Sequence, residues 1–374
     1  MDFQLNQQVC DGVESLINDY AKISLDDLVI MAYTEDSAES VALLSESLKL
    51  KKVQHHFIMI NPLSDEEFLY ELTCLLPNAA ALKGDIVFLT FEKNTMSHNN
   101  VFRKILMNCN EKQCRVIRVI SAGYEFFAQS LAVKPEVLSK RNTAILEKLM
   151  KAKDLIITTK SGTNLTVVLD NNRYRWISNR GIIKDSSFMM LPAGEVATFP
   201  ANINGTLVAE FAFNVNIITD VDARLVNSPV TVKIVNGRAV DFQCNNKDVV
   251  EIVNHCFGNK NGKVVGELGF GTNIGIKRAI PLNSHINERV PGIHLGFGDH
   301  NQLPETANYK CSSHLDLICE GGTIWVDSEL VPIDLQEIKP SVNAHPENLY
   351  AEDLKSPVDQ QDMELDDCCG LTKN

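Results

Sequence analysis

His314 and Asp316 stand two residues apart in "SHLDLI", an otherwise apolar stretch. Residues i and i+2 of a strand face the same side, so an imidazole and a carboxylate would share one face, with Leu315 and Leu317 turned away. Both side chains are metal-ligand types, and both are equally at home as a hydrogen-bonded pair. Three further segments carry the same question. "PGIHLGFGDH" sets His294 beside Gly296 and Gly298 at alternate positions. Glycine there leaves room for an ion, a ligand or another backbone. "VVGELGFGTN" places Glu267 after an apolar strand run, and "LPAGEVATFP" places Glu195 between a turn and another apolar strand. Each acid is either a turn-edge residue held by a backbone donor or a buried charge that needs a partner or a metal. Four such segments in one region favour a common site. His300 is a candidate proton shuttle near neutral pH if it faces that site. The remaining histidines read as solvated or satisfied.

The elements that must position these residues follow from the pattern of apolar residues. Up to about 155, helical and strand patterns alternate. "DLVIMAYT", "HHFIMIN", "DIVFLTF" and "RVIRVIS" are strands, and segments such as "SAESVALLSESLKLKK" and "FRKILMNC" are helices between them. That βαβ rhythm predicts an α/β, doubly wound parallel sheet over 1–155. No GxGxxG or P-loop follows any of its strands, so nucleotide binding is not indicated. From 156 to 335 the patterns are short strands with one helix at "NKDVVEIVNHCFG", which predicts a mainly β (α+β) metal-binding domain. Asn204-Gly205 and Asn236-Gly237 are expected hairpin turns. Residues 336–374 read as an acidic, mobile tail.

The chain has 374 residues, 44% hydrophobic and 22% charged, with a net charge of −13. This is the composition of a soluble globular protein, and an acidic one without a basic block is a poor candidate for nucleic acid or anionic membranes. The N-terminus has no signal-peptide pattern, and no run reaches transmembrane length. A cytoplasmic location is expected. The ten cysteines form no CxxC pair and are expected to be reduced and mostly buried. Cys109 and Cys114 lack the second Cys/His pair that a structural zinc needs.

"SGTNLTVVLD", "LPAGEVATFP" with "NGT" soon after, "GELGFGTN", "NERVPGIHLGFGD" and "HLDLI", in that order, resemble the signature of the aminopeptidase T (M29) metallopeptidases over about residues 155–333. The resemblance implies a homodimeric hydrolase that releases N-terminal amino acids from peptides, or cleaves a small amide, with two divalent ions (Zn, Co or Mn). Glu195, Glu267, Glu288, His294, His314 and Asp316 match the family's metal ligands, with Glu267 bridging the ions and also catalytic. Glu288 is spaced one residue off the family pattern from His294. Where the family carries a catalytic tyrosine, seven residues after the first histidine, this chain has Asn301. The chain also resembles dihydroxypyridine ring-cleaving dioxygenases, which use a His, His, Asp triad on one Fe(II). His294, His314 and Asp316 would supply that triad, although those enzymes lack the acid matching Glu195. A metal-binding protein that has lost catalysis is the third reading.

Overall fold

The computed structural model describes residues 3–61, 68–75, 83–93, 114–183 and 188–346. "FRKILMNC", Cys109, Cys368-Cys369 and the acidic segment 351–374 lie outside the described residues. The first four strands are β1 (Leu28–Tyr33), β2 (Gln54–Met59), β3 (Ile86–Glu92) and β4 (Cys114–Ile120), with helices Phe3–Ser15, Ala38–Leu50 and Phe68–Leu75 among them. Every residue of β3 and β4, and all of β1 but Tyr33, is buried, as suits strands covered on both faces, and the strands pair in parallel. Their buried cations are matched: Arg115 Nη2 lies 2.7 Å from Asp27 Oδ2, and Arg118 Nη2 lies 3.5 Å from Glu92 Oε2. The expected α/β parallel sheet is present.

The rest of the chain is rich in β structure: β5 (Asp154–Thr158), β6 (Asn164–Val168), β7 (Ile177–Asn179), β8 (Phe188–Leu191), β9 (Glu195–Thr198), β10 (Asn202–Ala209) and β11 (Ala212–Val215), then β12 (Val230–Val235), β13 (Arg238–Gln243), β14 (Val265–Gly271), β15 (Gly292–Gly298), β16 (His314–Glu320), β17 (Thr323–Val326) and β18 (Ile333–Asp334). Strand β8 belongs elsewhere than expected. It pairs in parallel with β4 and completes a five-stranded sheet in the order β2-β1-β3-β4-β8. The two compact units are therefore not separated by one cut after 155. One runs to Glu136 and takes back Gly181–Ala193, while the other holds Val137–Arg180 and the chain from Gly194. Local pattern cannot show this, because "FMML" satisfies either sheet as a strand.

The second unit contains two antiparallel sheets, β13-β12-β10-β6-β5-β17-β18 and β11-β16-β15-β14-β9-β7. Alternate residues of both sheets, among them Leu155, Ile157, Leu165, Val167, Leu207 and Val232 from one and Phe213, Leu268, Phe270, Leu295, Phe297, Leu315 and Leu317 from the other, meet in one buried apolar cluster. Such a two-layer sandwich leaves the outer face of each sheet for other work.

Two expectations need correction here. Asn236-Gly237 does turn β12 into β13, with φ of 49° and 71°, but Asn204-Gly205 lies inside β10. There Gly205, at φ 126°, brings its backbone so near the Asn164 carbonyl that a Cβ would sit 2.1 Å from that oxygen. The dipeptide serves close strand approach and not a turn. The start of the tail is also packed: Ile338 is buried, its carbonyl accepts from Arg141 Nη1 at 2.9 Å, and Ser341 Oγ donates to Glu147 Oε1 at 2.7 Å. Of the seven described cysteines, only Cys114, Cys256 and Cys319 are buried.

Candidate metal centre

The outer face of the six-stranded sheet carries the candidate residues. Along β15, Ile293, Leu295 and Phe297 enter the core, so His294, Gly296 and Gly298 point the other way. Cross-strand pairing then sets the neighbours. Gly296 lies between Glu267 on β14 and Asp316 on β16, and His294 lies opposite Gly269. Glu195 on β9 pairs with Gly271, and Asn214 on β11 pairs with Asp316. Glycines and acids thus alternate around one histidine. The glycines are required by space: a Cβ on Gly269 would sit 1.9 Å from His294 Nε2, and one on Gly296 would sit 2.8 Å from His314 Cε1 and 3.0 Å from Asp316 Oδ1.

A bulge puts Glu267 on this face. Val265 pairs with Phe297 in the core, yet Glu267, two residues on, pairs with Gly296 on the outer face. The extra residue, Gly266, reverses the alternation, and its backbone lies so close to the Asp299 carbonyl that a Cβ would stand 2.2 Å from that oxygen. Glu288 arrives from outside the sheet, at the end of a short helix, His285–Glu288, whose Ser284 cap accepts from the Ile286 N–H at 3.1 Å. The preceding loop is fastened to β11, because Asn283 accepts from the Val215 N–H at 2.8 Å and donates to the Val215 carbonyl at 2.7 Å. Asn142, on the helix Pro135–Leu149, donates to the Glu195 carbonyl at 2.8 Å and holds β9 in place.

All six expected residues are buried, and five fall into two groups whose ligand atoms lie within 4.8 Å of one another: Glu195, Glu288 and His294; and Glu267, His294 and Asp316. His294 Nε2 is 2.8 Å from Glu195 Oε1 and 3.4 Å from Glu267 Oε1. Only the contact to Glu267 is aligned as a hydrogen bond, although Glu195 Oε1 lies nearer to the same nitrogen. Asp316 Oδ1 is buried with no aligned donor. His314 belongs to neither group. Its Nε2 faces Asp316 Oδ2 at 3.1 Å and its Nδ1 faces the Asp299 carbonyl at 3.1 Å.

Four buried carboxyl groups cannot all be charged without compensation. Burial alone would raise Glu195, but Arg289 and then His294 outweigh it and hold the group below the ordinary carboxylate range. Asp316 is also driven down, against its burial, by His314. Burial raises Glu267, and it pushes Glu288 up to about 8. Both histidines are drawn well above their ordinary value despite burial, His294 by Glu195 and Glu267 and His314 by Asp316. Protons therefore supply the positive charge that the acids demand in the metal-free protein. The donor set is of the types that can hold a metal ion.

Several contributors were not singled out from sequence. Arg289 Nη1 contacts Glu195 Oε2 and lies 3.1 Å from Glu288 Oε2. Asn214 Nδ2 donates to Glu288 Oε1. Asn301, at the position of the family tyrosine, donates to Glu267 Oε2 at 3.1 Å and accepts from Gln302 Nε2 at 2.7 Å. The alternation Asn214-x-Asn216 in "FNVN" was the available signal for that strand; Asn216 Oδ1 accepts from the His314 N–H at 2.9 Å. His300, the expected shuttle, has both ring nitrogens in hydrogen bonds. Its Nε2 is spent on the Tyr309 carbonyl at 2.8 Å and its Nδ1 accepts from the Gln302 N–H at 3.2 Å. Tyr309 does not replace the missing tyrosine, since its hydroxyl donates to the Gly298 carbonyl at 2.9 Å.

Comparison with solved structures places this architecture. The 2,5-dihydroxypyridine dioxygenase from Pseudomonas putida KT2440 matches with a TM-score of 0.59 and 15% identity, over 90% of this chain and 98% of that one. AmpT from Thermus thermophilus matches with a TM-score of 0.52 and 13% identity, over 86% of this chain and 95% of that one. The chain shares their fold. A sequence-family model, described as crocagin biosynthetic protein CgnE/B, matches residues 213–324, the stretch that holds five of the six candidate ligands. No curated protein sequence matches the chain. The likeness to AmpT is one of fold, and the family model that matches does not name the M29 peptidases.

Proposed function

We propose that the chain is a metal-dependent hydrolase that cleaves an N-terminal peptide bond or a small amide. The observation that carries the reading is the buried convergence of two ligand groups, Glu195/Glu288/His294 and Glu267/His294/Asp316, beside a glycine-lined sheet face. A divalent cation held there would lower the pKa of water and polarise a carbonyl oxygen. The chain's own part is positioning and proton handling. Asn301 fixes the Glu267 carboxylate by one oxygen, which orients it to accept a proton from the attacking water. Gln302 locks Asn301 in turn and is itself held by both backbone groups of Arg175, at 2.9 Å each. Fold kinship with AmpT supports this reading, and a homodimeric, cytoplasmic protein is part of it.

The second reading is a single-iron ring-cleaving dioxygenase, and its observation is that His294, His314 and Asp316 occupy one face of adjacent strands. Glu267 weighs against it by adding a further carboxylate to a triad that needs open positions for its reactants. Elemental analysis of protein purified without chelator or nickel affinity separates the two. Zn, Co or Mn, with release of amino acids from dipeptides and its loss in Glu267→Ala, supports the hydrolase. Iron with substrate-dependent oxygen uptake supports the dioxygenase, and a chain that takes up no metal refutes both.

A further inference from the structure

The family resemblance implies two cations, and the side chains around the site fit only one. We propose that Arg289 serves as the second positive centre, so that this site binds a single divalent cation. The inference rests on reading the site as a metal centre. The two ligand groups, Glu195/Glu288/His294 and Glu267/His294/Asp316, both claim His294. Its Nε2 has one lone pair and can serve one cation. The first group is then left with two glutamates, and these are already engaged. One guanidinium nitrogen of Arg289 contacts Glu195 Oε2 and lies 3.1 Å from Glu288 Oε2, while Asn214 takes Glu288 Oε1.

Both Arg289 and the two acids are almost wholly buried. An arginine does not deprotonate in a protein, so its charge is permanent and undiluted by solvent. A second divalent cation on Glu195 and Glu288 would have to displace that guanidinium or stand against it in a low-dielectric interior. In the second group Asp316 Oδ2 meets His314 Nε2 at 3.1 Å and Glu267 Oε2 accepts from Asn301 at 3.1 Å, and neither partner carries a permanent charge. One oxygen of that group, Asp316 Oδ1, has no aligned donor and is available to the cation. Sequence spacing alone cannot show this, because only the folded chain brings Glu195 beside Arg289.

The test is stoichiometry. Full-length protein is stripped with chelator, dialysed and titrated with Mn²⁺ by calorimetry, with elemental analysis and electron paramagnetic resonance of the product. Wild type is expected to take one equivalent and to give the six-line signal of an isolated ion. Arg289→Met is expected to take two equivalents with a spin-coupled signal, and Arg289→Lys, which keeps a cation, to stay at one. Two equivalents in wild type, or one in a folded Arg289→Met, would overturn the assignment of Arg289 while leaving the metal-centre reading intact. No uptake by wild type would sink that reading and this inference with it. If Arg289→Met does not fold, the wild-type count and the Lys variant still decide.

Discussion

Replacing Gly269 by alanine sets one methyl group against the ring shared by both ligand groups. The new Cβ would stand 1.9 Å from His294 Nε2, 2.3 Å from Cε1 and 2.6 Å from Cδ2. Non-bonded heavy atoms settle at roughly 3.5–4.0 Å, so the ring has to retreat by about 1.5 Å or more. Ligand distances in metal sites hold to about ±0.2 Å, so that retreat removes His294 from the centre altogether. Changes to outer partners of a metal ligand typically cost about 10–100-fold in affinity; loss of the ligand should cost more than about 100-fold. The backbone at Gly269 is not in the left-handed region, and crowding of this kind costs roughly 1–3 kcal/mol, so the variant should fold. Its midpoint of thermal unfolding should fall by about 2–12 °C, at roughly 2–4 °C per kcal/mol for a unit of this size. Calorimetric titration with Zn²⁺ or Mn²⁺ measures the affinity. The control is Gly258→Ala, whose Cβ meets nothing within 4 Å and which should bind as wild type does. Wild-type affinity in folded Gly269→Ala would refute the placement of His294 at the centre.

Asn301→Ala removes the donor to Glu267, and metal affinity should drop by about 10–100-fold with secondary structure unchanged in circular dichroism. Asn142→Ala leaves the buried Glu195 carbonyl short of a donor. That should cost about 1–3 kcal/mol in urea unfolding. The pH dependence has a definite sign. His294, His314 and Glu288 all bind protons more tightly folded than unfolded, so the metal-free protein should lose stability as pH rises. Glu288 contributes between its ordinary 4.5 and about 8, and the histidines above their ordinary 6.5. The lowered Glu195 and Asp316 act in the opposite sense but only in acid. Urea midpoints of chelated protein should therefore decline from pH 6 to pH 8, and added metal, which displaces those protons, should reduce the decline. A midpoint that rises over that range without metal would contradict the charge assignment.

Much of the site was legible in the chain because strand alternation is a local property. "GIHLGFG" fixes His294, Gly296 and Gly298 on one face and Ile293, Leu295 and Phe297 on the other, whatever the strand pairs with. "HLDLI" does the same for His314 and Asp316 against Leu315 and Leu317, and the βαβ rhythm of the first unit is equally local. Other features depended on which strands became neighbours. The bulge at Gly266 that turns Glu267 outward exists only against β15. "FMML" joined the parallel sheet because β4 offered an edge, and Asn204-Gly205 stayed within a strand because β6 and β12 flank it. The same holds for charge. Glu195 and Glu288 are 93 residues apart in sequence, and only antiparallel pairing puts both beside Arg289 in a space closed to water. Residue types therefore announced candidate metal ligands, while the charges set against them were left to long-range packing, because a buried charge is defined by neighbours that the linear sequence does not bring together.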